Sequence, residues 1–155
     1  MSQSPPLKEK DPIRSAGQGR IINACEKHWN AHKNNCSGFV NAVADQLGVP
    51  LPRMQANQII DLISTWKTIS WWKVGLPMEA AAYAENGYFV LACLKDSPYG
   101  HVAIVTSGYK PDNGRYPRGY WGTLNSVGEK NGTMNYSFRK TDEHKVAYFR
   151  YMHKL

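Results

Sequence analysis

The chain has 155 residues, 42% of them hydrophobic and 12% aromatic, with a formal net charge of +7. That is enough for one domain with a sizeable core and too little for two ordinary ones, and the aromatic content argues against a disordered polymer. No apolar run approaches the ~18 residues of a membrane span, so no membrane insertion is expected, and the opening MSQSPPLKEKDPIRSAGQGR lacks the apolar core of a secretory signal.

Residues 1–17 read as a flexible arm, with Pro5-Pro6, Pro12 and alternating charges, and residues 18–155 as the folded domain. From Gly19 to about His32, Ile21, Ile22, Cys25 and Trp29 recur at helical spacing. A second helix starts at Asn34 or Asn35, either of which can cap it. Its stripe is Phe39, Val40, Val43 and Leu47, and Gly48 and Pro50 stop it. Residues 55–66 repeat the pattern with Ile59, Ile60 and Ile63. A short Ala-rich helix from Pro77 to Asn86 has Pro at its start and Gly87 after its end.

The period then changes. Tyr88 to Leu94 and His101 to Gly108 are β-branched, apolar runs that read as buried strands, with Pro98-Tyr99-Gly100 turning the chain between them. Arg118 to Asn125 and Lys145 to Met152 are further candidate strands. Helices first and short-looped strands later predict an α+β fold, with the N-terminal helices packed on a central antiparallel sheet.

Chemistry centres on the stretch NNCSGFV, Asn34 to Val40. Three cysteines cannot all pair within one chain, which favours a reduced origin or a free reactive thiol. Cys93, inside VLACLK, and Cys25, on the first helix, fit packing roles. Cys36 falls in the first turn of a helix, where unpaired N–H groups and the helix dipole favour thiolate. Ser37 and Gly38 leave the sulfur accessible, and the N–H of Cys36 can help hold an oxyanion. Core residue, disulfide half, metal ligand and nucleophile all remain readings of Cys36. Among five histidines, His101 follows Gly100 and opens an apolar strand, where a facing helix start can reach it. A thiol at a helix start and an imidazole at a strand start form the papain-type layout. Cys25, His28 and His32 have metal-like spacing on one helix face but no fourth ligand nearby. His144 and His153 read as surface residues.

The blocks NNCSGFVNAVADQLGVPLPR, ANQIID and YGHVAIVTSG together resemble the type VI secretion amidase effectors of family 1, over roughly Ile21 to Gly122. These are compact NlpC-like, papain-type cysteine peptidases. The resemblance implies a DL-endopeptidase cutting peptidoglycan stem peptides between D-glutamate and meso-diaminopimelate. Cys36 would be the nucleophile and His101 the base, with no metal or other cofactor. It further implies a monomer made in the cytoplasm without a signal peptide, exported by the type VI secretion apparatus into the periplasm of a target bacterium, and met in the producer by a cognate immunity protein. Asn35, Ser37, Gly38 and Asn125 would face substrate. Family members commonly carry a polar third residue on the strand after the histidine strand. Here that segment reads Gly119-Tyr120-Trp121-Gly122, so the backbone carbonyl of Trp121, or Asn125, would orient the imidazole. Relatives outside the effector group often have Asp where this chain has Asn35. Two alternatives are an amidase cleaving the muramoyl–L-alanine bond and a basic nucleic-acid-binding module using Trp71-Trp72. No nucleic-acid motif supports the second.

Overall fold

The computed structural model describes residues 15–65, 70–108 and 116–155. Among these described residues, four α-helices and six strands follow in the order α1 (Ala16–His32), α2 (Cys36–Leu47), α3 (Ala56–Ser64), β1 (Trp71–Val74), α4 (Pro77–Glu85), β2 (Val90–Leu94), β3 (His101–Ser107), β4 (Arg118–Trp121), β5 (Glu129–Thr133) and β6 (Ala147–Tyr151), with short 3-10 turns at Met134–Tyr136 and Lys140–Lys145. The strands form one antiparallel sheet in the order β1-β6-β2-β3-β4-β5. The α+β reading is correct.

Local sequence explains the helix limits. Ser15 caps α1, its hydroxyl accepting from Gln18 N–H at 3.0 Å while donating to the Glu85 carbonyl at 2.9 Å. The helix therefore starts before Gly19, and residues 16 and 17, expected in the arm, belong to it. Residues 1–14 of that arm, and residue 66 at the end of the expected third helix, lie outside the described residues. Asn35 caps α2, and Gly48, in the left-handed region at φ 73°, ends it. The cap contributes about 1 kcal/mol, whereas each of the buried Phe39, Val40 and Val43 contributes about 1.5–3 kcal/mol. Burial therefore fixes where α2 lies, and the cap fixes which residue begins it.

The centre of the sheet is covered on both faces, which is why β2 and β3 are apolar without alternation. Leu91, Cys93, Val102 and Ile104 join α1, α2 and α3 in one core. Val90, Ala92, Ala103 and Val105 join α4, Met134 and Phe138 in the other. Two edge strands had no signal in the sequence. β1 is four residues long and β5 reads Glu-Lys-Asn-Gly-Thr; pairing to β6 and β4 defines them rather than an apolar pattern. The strand expected over Arg118 to Asn125 stops at Trp121, because Gly122 leads into a loop that crosses to the α1–α2 turn.

Candidate active site

Cys36 is the first residue of α2 and His101 the first of β3. They line one cleft of about 520 Å³. Asn35 and Ser37 flank Cys36, Tyr99 and Gly100 lead into His101, and Thr123 to Asn125 close a third side. Exposed Tyr99 and Leu124 give the cleft an apolar rim. A groove of about 890 Å³, lined mainly by polar and charged residue types, adjoins it and shares Asn35, Ser37 and Gln55.

Each wall has its own support. Asn35 Oδ1 accepts from Gly38 N–H at 3.0 Å and from the Ser37 hydroxyl at 3.1 Å. The backbone N–H groups of Thr123 and Gly128 both donate to the Lys33 carbonyl, and the Asn34 amide donates to the Ser126 carbonyl. Gly122 allows this crossing: a β-carbon there would lie 2.4 Å from the His32 carbonyl oxygen and 2.6 Å from that of Asn35. On the other wall, Asn57 of α3 holds the turn before β3, donating to the Asp96 carbonyl at 2.6 Å and accepting from Asp96 N–H at 3.2 Å. His101 Nε2 lies 2.6 Å from the Ser137 hydroxyl, and the ring meets Phe138 edge-on at 5.1 Å.

The peptidoglycan amidase Tse1 of Pseudomonas aeruginosa is 38% identical to this chain over 143 residues, covering 84% of this chain and 88% of that protein. The chain belongs to the type VI secretion amidase effector family 1. No family model matches it.

For a member of that family, the electrostatics of the cleft are informative. Burial pushes the Cys36 thiol up, and the backbone N–H groups of Val102, Ser37 and Cys36 itself offset part of that. The expected preference for thiolate at the helix start is thus outweighed by desolvation. Burial lowers His101 to about 4. Near neutral pH the pair rests as thiol and neutral imidazole. The thiol meets the backbone N–H of Val102, the residue after His101.

The Trp121 carbonyl, expected beside His101, has another bond there. It accepts from the indole N–H of Trp29 at 3.0 Å, tying β4 to α1, and the Trp121 side chain is buried in the core facing α4. Asn125 lines the cleft with φ at 61°, and the Ser137 hydroxyl makes a hydrogen bond with the imidazole. Cys25 is wholly buried in the helix-side core while His28 and His32 line the outer groove, so these three do not come together as ligands. Burial also drives Cys93 well above its ordinary range, which agrees with its packing role. Trp71 is buried against Phe89 and Tyr151, and Trp72 lies under the Arg150 guanidinium at 4.4 Å. They form no open stacking platform for bases. Sequence reasoning missed Trp29, Asn57 and Ser137. The Asn57 amide sits in the quoted block ANQIID, but nothing local marks which turn it holds.

Proposed function

We propose that the chain is a peptidoglycan amidase that cleaves stem peptides between D-glutamate and meso-diaminopimelate, delivered as an antibacterial type VI effector and blocked in the producer by an immunity protein. The supporting observation is that Cys36 and His101 open on one cleft in a chain 38% identical to a peptidoglycan amidase. The net charge of +7 suits an anionic wall polymer.

Because both groups rest neutral, His101 acts as general base during attack rather than as half of a preformed ion pair. It takes the thiol proton as Sγ adds to the D-glutamyl carbonyl carbon. Backbone N–H groups at the start of α2 stabilise the oxyanion. The imidazolium returns that proton to the departing diaminopimelate amine, leaving an acyl thioester. Water, deprotonated by His101, then adds to the thioester and releases Cys36 as the thiol. Asn35 and Ser37 hold the first turn of α2, Gly38 keeps it open, and Asn125 bounds the opposite side.

The deciding experiment is digestion of purified sacculi, with products mapped by mass spectrometry and the Cys36→Ala variant beside it. Loss of the D-glutamyl–diaminopimelate bond with wild type, and at least a ~1,000-fold slower rate with Cys36→Ala, is the expected outcome. Loss of the muramoyl–L-alanine bond would reassign the specificity, and undiminished activity in Cys36→Ala would sink the mechanism.

A further inference from the structure

The His101 imidazole is held by two residues outside β3 and β4. Nε2 lies 2.6 Å from Ser137 Oγ, 36 residues further along the chain, and the neighbouring Phe138 packs edge-on against the same ring at 5.1 Å. Two consecutive residues therefore fix the ring by a polar atom and by a face. Their segment is built to hold still. Met134 and Phe138 are buried on either side of Ser137. Met134 N–H donates to the Pro117 carbonyl at 2.9 Å, and the N–H groups of Ser137 and Phe138 both return to the Met134 carbonyl. Phe138 also packs on the buried Tyr116, whose hydroxyl donates to the Arg139 carbonyl at 2.6 Å. A surface serine meeting a histidine by chance would not have buried anchors on both sides.

We infer that Ser137 is the positioning residue of the catalytic histidine: its hydroxyl accepts the Nε2–H of His101, so that Nδ1 carries the lone pair offered to Cys36. The inference rests on the Cys–His reading above. A neutral histidine has one donor and one acceptor nitrogen, and the partner of one decides the role of the other. Ser137 does for the tautomer what a carboxylate does in other triads, without the negative charge that would stabilise imidazolium. The titratable groups sharing the cleft with His101 are Cys36 from α2 and Tyr99 from the preceding turn; no lining residue carries a formal charge. With only burial acting on it, His101 stays neutral to about pH 4. The base thus remains available in mild acid.

The test combines three variants with one measurement on the unmodified chain. Ser137→Ala lowers kcat on muropeptides by about 10- to 100-fold with KM within about twofold. Ser137→Thr, which keeps the hydroxyl, restores most of the rate. Ser137→Asp moves the acid limb of kcat/KM upward by about one pH unit or more, because a carboxylate at Nε2 favours the charged ring. A purely structural serine would not shift that limb. Nitrogen-15 NMR of the wild-type imidazole near neutral pH should show Nε2 protonated and Nδ1 bare, a readout that depends on neither variant folding nor activity. An Nδ1–H tautomer overturns the inference, as does Ser137→Ala with wild-type kcat and pH profile. Cys36→Ala separates the two claims. If it still cleaves the wall, the Cys–His reading falls; if it is dead while Ser137→Ala is unimpaired, only the role of Ser137 falls.

Discussion

The two walls of the cleft are built in different ways. Cys36 is placed by its neighbours: Asn35 caps the turn and Phe39 and Val40 seat the helix, all within four residues. His101 is placed from afar, by Asn57 of α3 and by Ser137 and Phe138 beyond β5. A nucleophile needs a defined backbone direction and a local donor set, which one helix start provides. A base needs a fixed ring plane, tautomer and distance, and a strand end alone fixes none of these. Long-range contacts on the His101 side supply them.

If the walls are separately supported, the bridge between them should be the most sensitive point. Gly122→Ala would drive a β-carbon into two backbone carbonyls that side-chain motion cannot relieve. The α1–α2 turn or the loop over residues 122–128 must move. We expect wall hydrolysis to fall by about 100-fold and stability by about 2–3 kcal/mol. Muropeptide kinetics and the urea midpoint measure the two, and wild-type values for both would mean the cleft does not depend on this crossing.

The His101 wall should have a pH signature that the Cys36 wall lacks at the same pH. The ring is held at about 4 by burial, against about 6.5 in the unfolded chain. Above pH 6.5 both states are neutral and stability is unaffected. As pH falls from 6.5 towards 4, the unfolded chain takes the proton first, and stability is lost. The full shift corresponds to about 3 kcal/mol, reduced to about 2 because the residue keeps part of its surface in solvent. Urea midpoints of wild type and His101→Gln, followed from pH 7.5 to 4.5, should diverge only below about 6.5. Parallel curves would show that the ring is not desolvated.

What could be read from the chain follows the same division. Cys36 differed from Cys25 and Cys93 by its place after Asn35 and before Ser37-Gly38, and the structure puts it at a capped helix start while burying the others completely. The four helices and the central strands β2, β3 and β6 were legible because apolar spacing and caps are local. Burial of Cys36 was not, because the Val102 strand that covers it lies far along the chain. Ser137 was equally hidden: it sits in NYSFRK, an ordinary polar loop in sequence, and gains meaning only when Met134 and Phe138 are seen to be buried. That residue 119 of β4 carries no side chain has a steric reason. Gly119 lies so close to the Ile104 carbonyl and Met134 that β4 has no room there for a polar side chain, and Tyr120 and Trp121 fill the two cores.

Gly100 tests the long-range support directly. It has φ at 70°, and a β-carbon there would lie 2.1 Å from Asn57 Oδ1. Gly100→Ala should cost about 2 kcal/mol, part from the left-handed backbone and part from the clash. In an Asn57→Ala background the clash with the amide disappears, leaving the left-handed backbone and a tight 3.0 Å approach to the Leu94 carbonyl, so the added cost of Gly100→Ala should drop to about 1 kcal/mol. Additive midpoints in the double-mutant cycle would mean that Asn57 does not press on this turn.

The smallest effect belongs to the local wall. Asn35→Ala removes the acceptor for Gly38 N–H and for the Ser37 hydroxyl, and should cost about 1 kcal/mol with a few-fold loss of rate. Asn35→Asp keeps an acceptor at the same place and adds a negative charge at the helix start, where the dipole favours it. Its urea midpoint should match wild type or exceed it. The same carboxylate beside Cys36 would push the thiol further from ionising, so the alkaline rise of iodoacetamide labelling should move to higher pH. A variant that stays stable while its thiol becomes harder to ionise would separate the two functions of residue 35, holding the helix and tuning the sulfur. Equal labelling profiles would leave it with the first alone.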